Sequence, residues 1–249
     1  MNTNFFVSEC IKMKRSGFYS IVLGTPVITG LCYIFYCFCS KDFATDAFYY
    51  YILTLSIISP CILSFSLYIP FNIERKCCNG KELFSNQYGL KKAITEKICF
   101  VFISYLSSLI ISVFTFCTCL AITSNQTIPV HYFYVIPIML LGQLSMFLAL
   151  TLGVLLLNKS IILIGIGCTL LNGILMTKLG NGIWYYFPNA WSTLLSHFYL
   201  KYSGTETREF QMYILLITFC LYTFAFYLFI RFWLLNKIYF LIEHNYNKY

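Results

Sequence analysis

The amino-acid sequence predicts an all-α integral membrane protein, a six-transmembrane-helix bundle with an N-terminal amphipathic helix, a cytoplasmic coupling helix and an outer re-entrant hairpin, built from a chain of 249 residues. Two observations predict the membrane class. Hydrophobic residues make up 59% of the chain and charged residues only 10%, against roughly 25% charged in an average soluble protein. Too few charges remain to cover a surface in water, and the mean hydropathy of +0.74 is gathered in runs free of Asp, Glu, Lys and Arg. Composition therefore excludes a soluble enzyme and a disordered chain. The net charge of +8 is spread over the short segments between the runs rather than collected on one basic face, which excludes a nucleic-acid-binding domain.

A hydrocarbon core about 30 Å thick takes roughly 20 apolar residues of helix. Six runs qualify as spans: Gly17 to Cys39, Phe48 to Phe71, Ile98 to Ile122, Tyr132 to Leu156, Ile161 to Thr177, and Met212 to Ile230. The first ends in Cys39-Ser40-Lys41-Asp42 rather than a small-x-small cleavage site, so it reads as an anchor and not a signal peptide. The apolar stretch Ile183 to Leu200 is broken by Pro188 and too short for a seventh span. It reads as a re-entrant or interfacial hairpin within a segment 178–210 on one side of the membrane.

An even number of spans puts both termini on one side. Lys12, Lys14 and Arg15 precede span one, six cations from Arg75 to Lys97 lie between spans two and three, Lys159 follows span four, and Arg231, Lys237 and Lys248 end the chain. These are thirteen of the seventeen basic residues, so the positive-inside rule makes that side cytoplasmic. Trp184, Tyr185 and Trp191 then fall at the outer rim, where aromatic rings favour the interface. At the other end of the chain, Phe6, Cys10 and Met13 recur at helical spacing, with Ser8, Lys12 and Arg15 on another face. Residues 1–16 therefore read as an amphipathic helix on the inner leaflet, with Lys12, Lys14 and Arg15 as its headgroup contacts.

The spans hold no ionisable carboxylate, amine or imidazole that could carry a coupled ion. Their strongest polar groups are Gln143 and Asn172, which read as interhelical hydrogen-bonding residues or as contacts along a substrate path. His131, His197 and His244 all lie outside the spans, and neither an H-E-x-x-H string nor a P-loop is present. No catalytic residue is assigned. The twelve cysteines lie mostly in or beside apolar runs, and the C-x-C pairs at Cys37/Cys39 and Cys117/Cys119 lack further ligands, so no metal is assigned.

The segment Asn72 to Lys97 carries the clearest functional signal. Gly80 is followed by Lys81-Glu82-Leu83-Phe84, a short helix in which Leu83 and Phe84 form an apolar knob amid the charges of Glu74, Arg75 and Glu82. Such a knob suits a groove on a cytoplasmic partner, the alternative being a solvated loop whose Leu83 and Phe84 fold back onto headgroups.

The whole layout resembles the membrane subunit of a type-2 ABC exporter, as one permease domain over 1–249, and within that group the lantibiotic-protection permeases. Their loop carries an acidic residue, a small residue with Gly, a short polar and apolar helix, then a Lys before span three. Glu74, Asn79-Gly80, Leu83-Phe84 and Lys97 occupy those places, while Cys77-Cys78 and Asn79 stand where small residues are usual. The resemblance implies a cytoplasmic ATPase dimer docked on this loop, with ATP and magnesium bound by that partner and no cofactor on this chain. It further implies a second permease, identical or different, and an amphiphilic antimicrobial peptide cleared from the cell membrane of a Gram-positive bacterium. Trp184, Tyr185 and Trp191 would offer ring faces to lysines of that peptide, or simply anchor the interface. A membrane scaffold that recruits a cytoplasmic partner without transport is the reading from another class.

Overall fold

Uncharged runs of this length form helices because a backbone in hydrocarbon must satisfy its own hydrogen bonds. The computed structural model describes residues 3–40, 44–78, 90–124, 130–157, 159–180, 183–202, 217, 219–225 and 227–228, and these are helical apart from short turns, with no strand among them. The helices are α1 (Thr3–Met13), α2 (Phe18–Val22), α3 (Gly24–Ser40), α4 (Ala44–Cys78), α5 (Leu90–Ser124), α6 (Val135–Leu157), α7 (Ser160–Leu175) and α8 (Trp191–Tyr202). Short 3-10 turns lie at Val130–Tyr134, Lys178–Gly180, Trp184–Tyr186 and Pro188–Ala190. Residues 219–225 are helical as well.

Four stretches are long and apolar enough to cross a membrane: Phe18–Phe35, Asp46–Ile73, Ile94–Ile122 and Tyr132–Leu155. They coincide with the first four runs read from the sequence. The fifth run is the shorter apolar helix α7, whose 16 residues reach about 24 Å. Of the sixth run, residues 217, 219–225 and 227–228 are described and helical, and the remainder lies outside the described residues. Over Ile183 to Leu200, where a hairpin is expected, two 3-10 turns lead into the 12-residue α8, which packs on α6 and α4.

Helix ends also differ from the apolar limits. α4 and α5 have 35 residues each, about 52 Å, well beyond the hydrocarbon core. The segment 72–97 is therefore helical at both stems, 72–78 closing α4 and 90–97 opening α5. Hydropathy marks where lipid ends, and helices continue past that point in water.

At two of the helical prolines, Pro26 and Pro60, serines repair the backbone. Pro26 has no N–H for the Val22 carbonyl, and the chain breaks between α2 and α3 at Leu23. Ser108 of α5 donates its hydroxyl to that carbonyl. Pro60 inside α4 likewise frees the Ser56 carbonyl, which accepts from Ser59 Oγ at 2.7 Å.

α4 is the central helix, touching α2, α3, α5, α6, α7 and α8. Its Phe48, Tyr51, Leu55, Leu63 and Leu67 meet Phe100, Leu109 and Phe116 of α5 and Met139 and Leu150 of α6 in one buried cluster. Glycine permits the closest crossings. A Cβ on Gly142 would lie 2.5 Å from Ser192 Cα of α8, and one on Gly165 would lie 2.4 Å from Ser64 Cβ of α4. Large apolar side chains also point outward, among them Ile28 and Phe35 of α3, Ile110 and Phe114 of α5, and Leu163 and Leu170 of α7. Lipid is the solvent that suits such a surface.

Candidate functional site

The bundle carries two polar constellations, one at each end. The first forms where α1, the last turns of α4 and the first turns of α5 meet. Gly17 takes φ of 72°, the left-handed region that glycine enters without strain, and lets α1 fold back beside α2. Phe6 meets the Phe100 ring edge-on at 5.3 Å and Phe18 stacks on it at 5.8 Å. The Phe6, Cys10 and Met13 face thus packs on protein.

Beside this cluster lies a buried ion pair. The side chains of Glu9 and Lys97 are 0% and 1% exposed, with Lys97 Nζ 3.7 Å from Glu9 Oε2. Lys97 Nζ also donates to the Pro70 carbonyl at 3.4 Å and stands 5.6 Å above the centre of the Phe71 ring. Lys12 Nζ donates to Glu9 Oε1 at 3.3 Å from a side chain 41% exposed. The pair therefore joins three elements, Glu9 tying α1 to α5 and Lys97 tying both to the Pro70 carbonyl of α4, and losing either member leaves the other charge out of water. Lys97 holds a place in the loop pattern, whereas Glu9 is the residue that sequence reasoning missed. Its signal is its register: it is the one acid of α1 and lies three and four residues from Phe6 and Met13.

The second constellation lies around α6, α7 and α8. Tyr105 of α5 donates to Gln143 Oε1 at 2.9 Å and also meets Ser59 of α4, while Gln143 Nε2 is buried without a hydrogen-bond partner among the described residues. Asn189 Nδ2 donates to Asn172 Oδ1 at 2.8 Å and to the Cys168 carbonyl at 3.4 Å. Ser145 Oγ reaches the Pro188 carbonyl at 3.4 Å. Gln143 and Asn172 thus each make a side-chain hydrogen bond within the protein. They are not brought together: one ties α5 to α6, the other ties α7 to the Pro188–Ala190 turn.

Trp184 and Trp191 are 4% and 3% exposed. Trp191 stacks on Phe219 at 4.4 Å and Trp184 lies 5.7 Å from Phe198. Their ring faces are filled by the protein's own side chains, which corrects the expectation of a free aromatic rim. The side chain of Tyr185 lies outside the described residues, and Tyr186 is the exposed ring of that turn, at 82%. A further link joins the start of α4 to α8, where the Tyr49 hydroxyl and His197 Nδ1 are hydrogen-bonded. Burial, with the Lys201 ammonium nearby, holds the His197 imidazole below its ordinary pKa.

The expected docking residues Gly80, Glu82, Leu83 and Phe84 lie outside the described residues, as do the side chains of Glu74 and Arg75 on the last turns of α4. Lys14 and Arg15 are exposed in the turn after α1. Among the described residues no group of three or more His, Cys, Asp or Glu can hold a metal ion. No family model matches the chain, and neither a curated protein nor a solved structure matches it.

Proposed function

We propose that this chain is the membrane-spanning permease of an ATP-driven exporter, one that expels an amphiphilic antimicrobial peptide from the membrane and so gives immunity. The observation that carries the reading is the pair α4 and α5. Both outrun a hydrocarbon core of about 30 Å by about 20 Å, and α1 is clamped at their base through Glu9 and Lys97. The segment 79–89 joins their ends. It holds Gly80, Glu82, Leu83 and Phe84, with Glu74 and Arg75 on its approach, and is the proposed dock for a cytoplasmic ATPase dimer that binds ATP and magnesium. Rigid stems on either side suit a lever: a push on the dock passes into two long helices and through Lys97 into α1.

The full reading has six spans, with α7 fifth and 212–230 sixth, both termini cytoplasmic, the 178–210 segment outside, and a second permease completing the pathway. With Trp184 and Trp191 occupied by Phe198 and Phe219, the peptide is held by its apolar face against exposed aliphatic side chains, and its cations stay in water or headgroups. A charge at the bilayer centre costs about 2.5 to 3.5 kcal/mol even on the lenient scale, so this route avoids a term that no acidic residue within the uncharged runs offsets.

Vesicles containing the chain, its ATPase and a labelled lantibiotic test the reading. ATP-dependent movement of the peptide is expected, together with its loss when Leu83 and Phe84 are both changed to Ala. An interface-centre apolar side chain is worth about 2 kcal/mol, so that double variant should also release the ATPase while staying in the membrane. Binding of the ATPase without any peptide movement would favour a recruiting scaffold instead.

A further inference from the structure

We infer that the outward face of α1 binds anionic lipid headgroups, and that Lys12 connects this face to the buried Glu9–Lys97 pair. α1 sorts its charges by side. Glu9, its one acid, points inward and is fully buried. Outward stand Val7 and Ile11, 56% and 67% exposed, followed at the next helical positions by the exposed Lys14 and Arg15, with Lys12 beside them. The Phe6 to Met13 face is occupied by α5, so Val7 and Ile11 are a second apolar stripe, one that the described residues leave uncovered.

Three cations, no outward anion and two aliphatic side chains make a surface complementary to an anionic leaflet. The aliphatic pair dips below the headgroups and the cations stay among the phosphates. Lys12 has a double position. Its ammonium donates to Glu9 Oε1 while its side chain is 41% exposed, so it stands between the carboxylate and the headgroup side of α1. A headgroup drawing on Lys12 leaves more of the Glu9 charge to Lys97, which tightens α1 against α5. The inference rests on the membrane placement of the helices and not on export.

The test uses the full chain in nanodiscs of phosphatidylcholine, with or without phosphatidylglycerol, followed by tryptophan fluorescence on heating. The expected result is a higher Tm with phosphatidylglycerol, a difference that shrinks as salt is added. K14Q/R15Q leaves the Glu9 contacts in place, should melt like the unaltered protein in phosphatidylcholine, and should lose most of the difference. Each removed cation is worth about five-fold in affinity for an anionic surface. K12Q should still retain phosphatidylglycerol in native mass spectra yet gain little Tm from it. Equal melting in both lipids, or an undiminished difference in K14Q/R15Q, would overturn the inference. Should K14Q/R15Q not accumulate, retention by the unaltered protein decides: phosphatidylglycerol held no better than phosphatidylcholine also overturns it. Peptide movement in vesicles is a separate readout, so the lipid inference and the export reading can fail independently.

Discussion

The two ends of the bundle are fastened by different physics. At the α1 end, one carboxylate and one ammonium are almost wholly removed from water and hold three elements together. At the α8 end the fastening is spread over neutral contacts, namely the Asn172–Asn189 amide pair, the Tyr49–His197 bond, the Trp191–Phe219 stack and the Gly142–Ser192 approach. A buried charge pair fails all at once, because removing one partner strands the other. Neutral contacts fail by degrees. The α1 end should therefore be intolerant of single changes, and the α8 end should tolerate most of them.

The largest effect should come from Lys97→Met, which leaves Glu9 buried with Lys12 as its remaining ion-pair partner. A loss of about 3 to 5 kcal/mol is expected, read as a lowered Tm in detergent or as reduced membrane yield. The paired variant E9Q/K97M should regain much of it. If the single and paired variants melt alike, the ion pair does not distinguish the two ends.

Gly142→Ala sharpens the contrast from the other side. Its new methyl would meet the Ser192 backbone at 2.5 Å, so α6 and α8 must part, at about 1 to 3 kcal/mol. Gly167→Ala is the control: a Cβ there meets nothing within 4 Å, and stability should hold or rise slightly. Below these comes Asn189→Ala, which removes the amide bond to Asn172. Interhelical hydrogen bonds in membranes average about 0.6 kcal/mol, and a Tm shift of that small size is expected.

The smallest effect is a pH dependence at His197. Its pKa in the folded protein lies below the ordinary 6.5, so above that value both folded and unfolded states carry the neutral ring and nothing changes. As pH falls through 6.5 toward the folded pKa, the unfolded state takes up the proton first and stability declines. H197Q should flatten that part of the Tm profile. An unchanged acid slope would assign the effect elsewhere.

The sequence shows the bundle more readily than its connections. Phe48 to Phe71 and Tyr132 to Leu156 are readable because lipid selects for uncharged runs, and the helical stretches Asp46–Ile73 and Tyr132–Leu155 nearly match them. Which face meets protein is less visible, since lipid and a protein core accept the same side chains. Phe6, Cys10 and Met13 read as lipid-facing for that reason, and Trp184 and Trp191 as rim residues for the same one. Glu9 and Lys97 are individually ordinary, and only the fold brings them together. The helical stems at 72–78 and 90–97 stay hidden because hydropathy is silent about helices in water.

With α7 as the proposed fifth span, its shortness makes membrane thickness a variable of this protein. Its outward apolar face, carrying Leu163, Leu170 and Ile174, runs about 24 Å beside a hydrocarbon core of about 30 Å. Acyl chains next to it must compress, or its flanks must stretch, at a fraction of a kcal/mol for each ångström of mismatch. On that proposal the bilayer is pinched along one side of the bundle. A thin membrane relieves that strain, and a thick one adds to it.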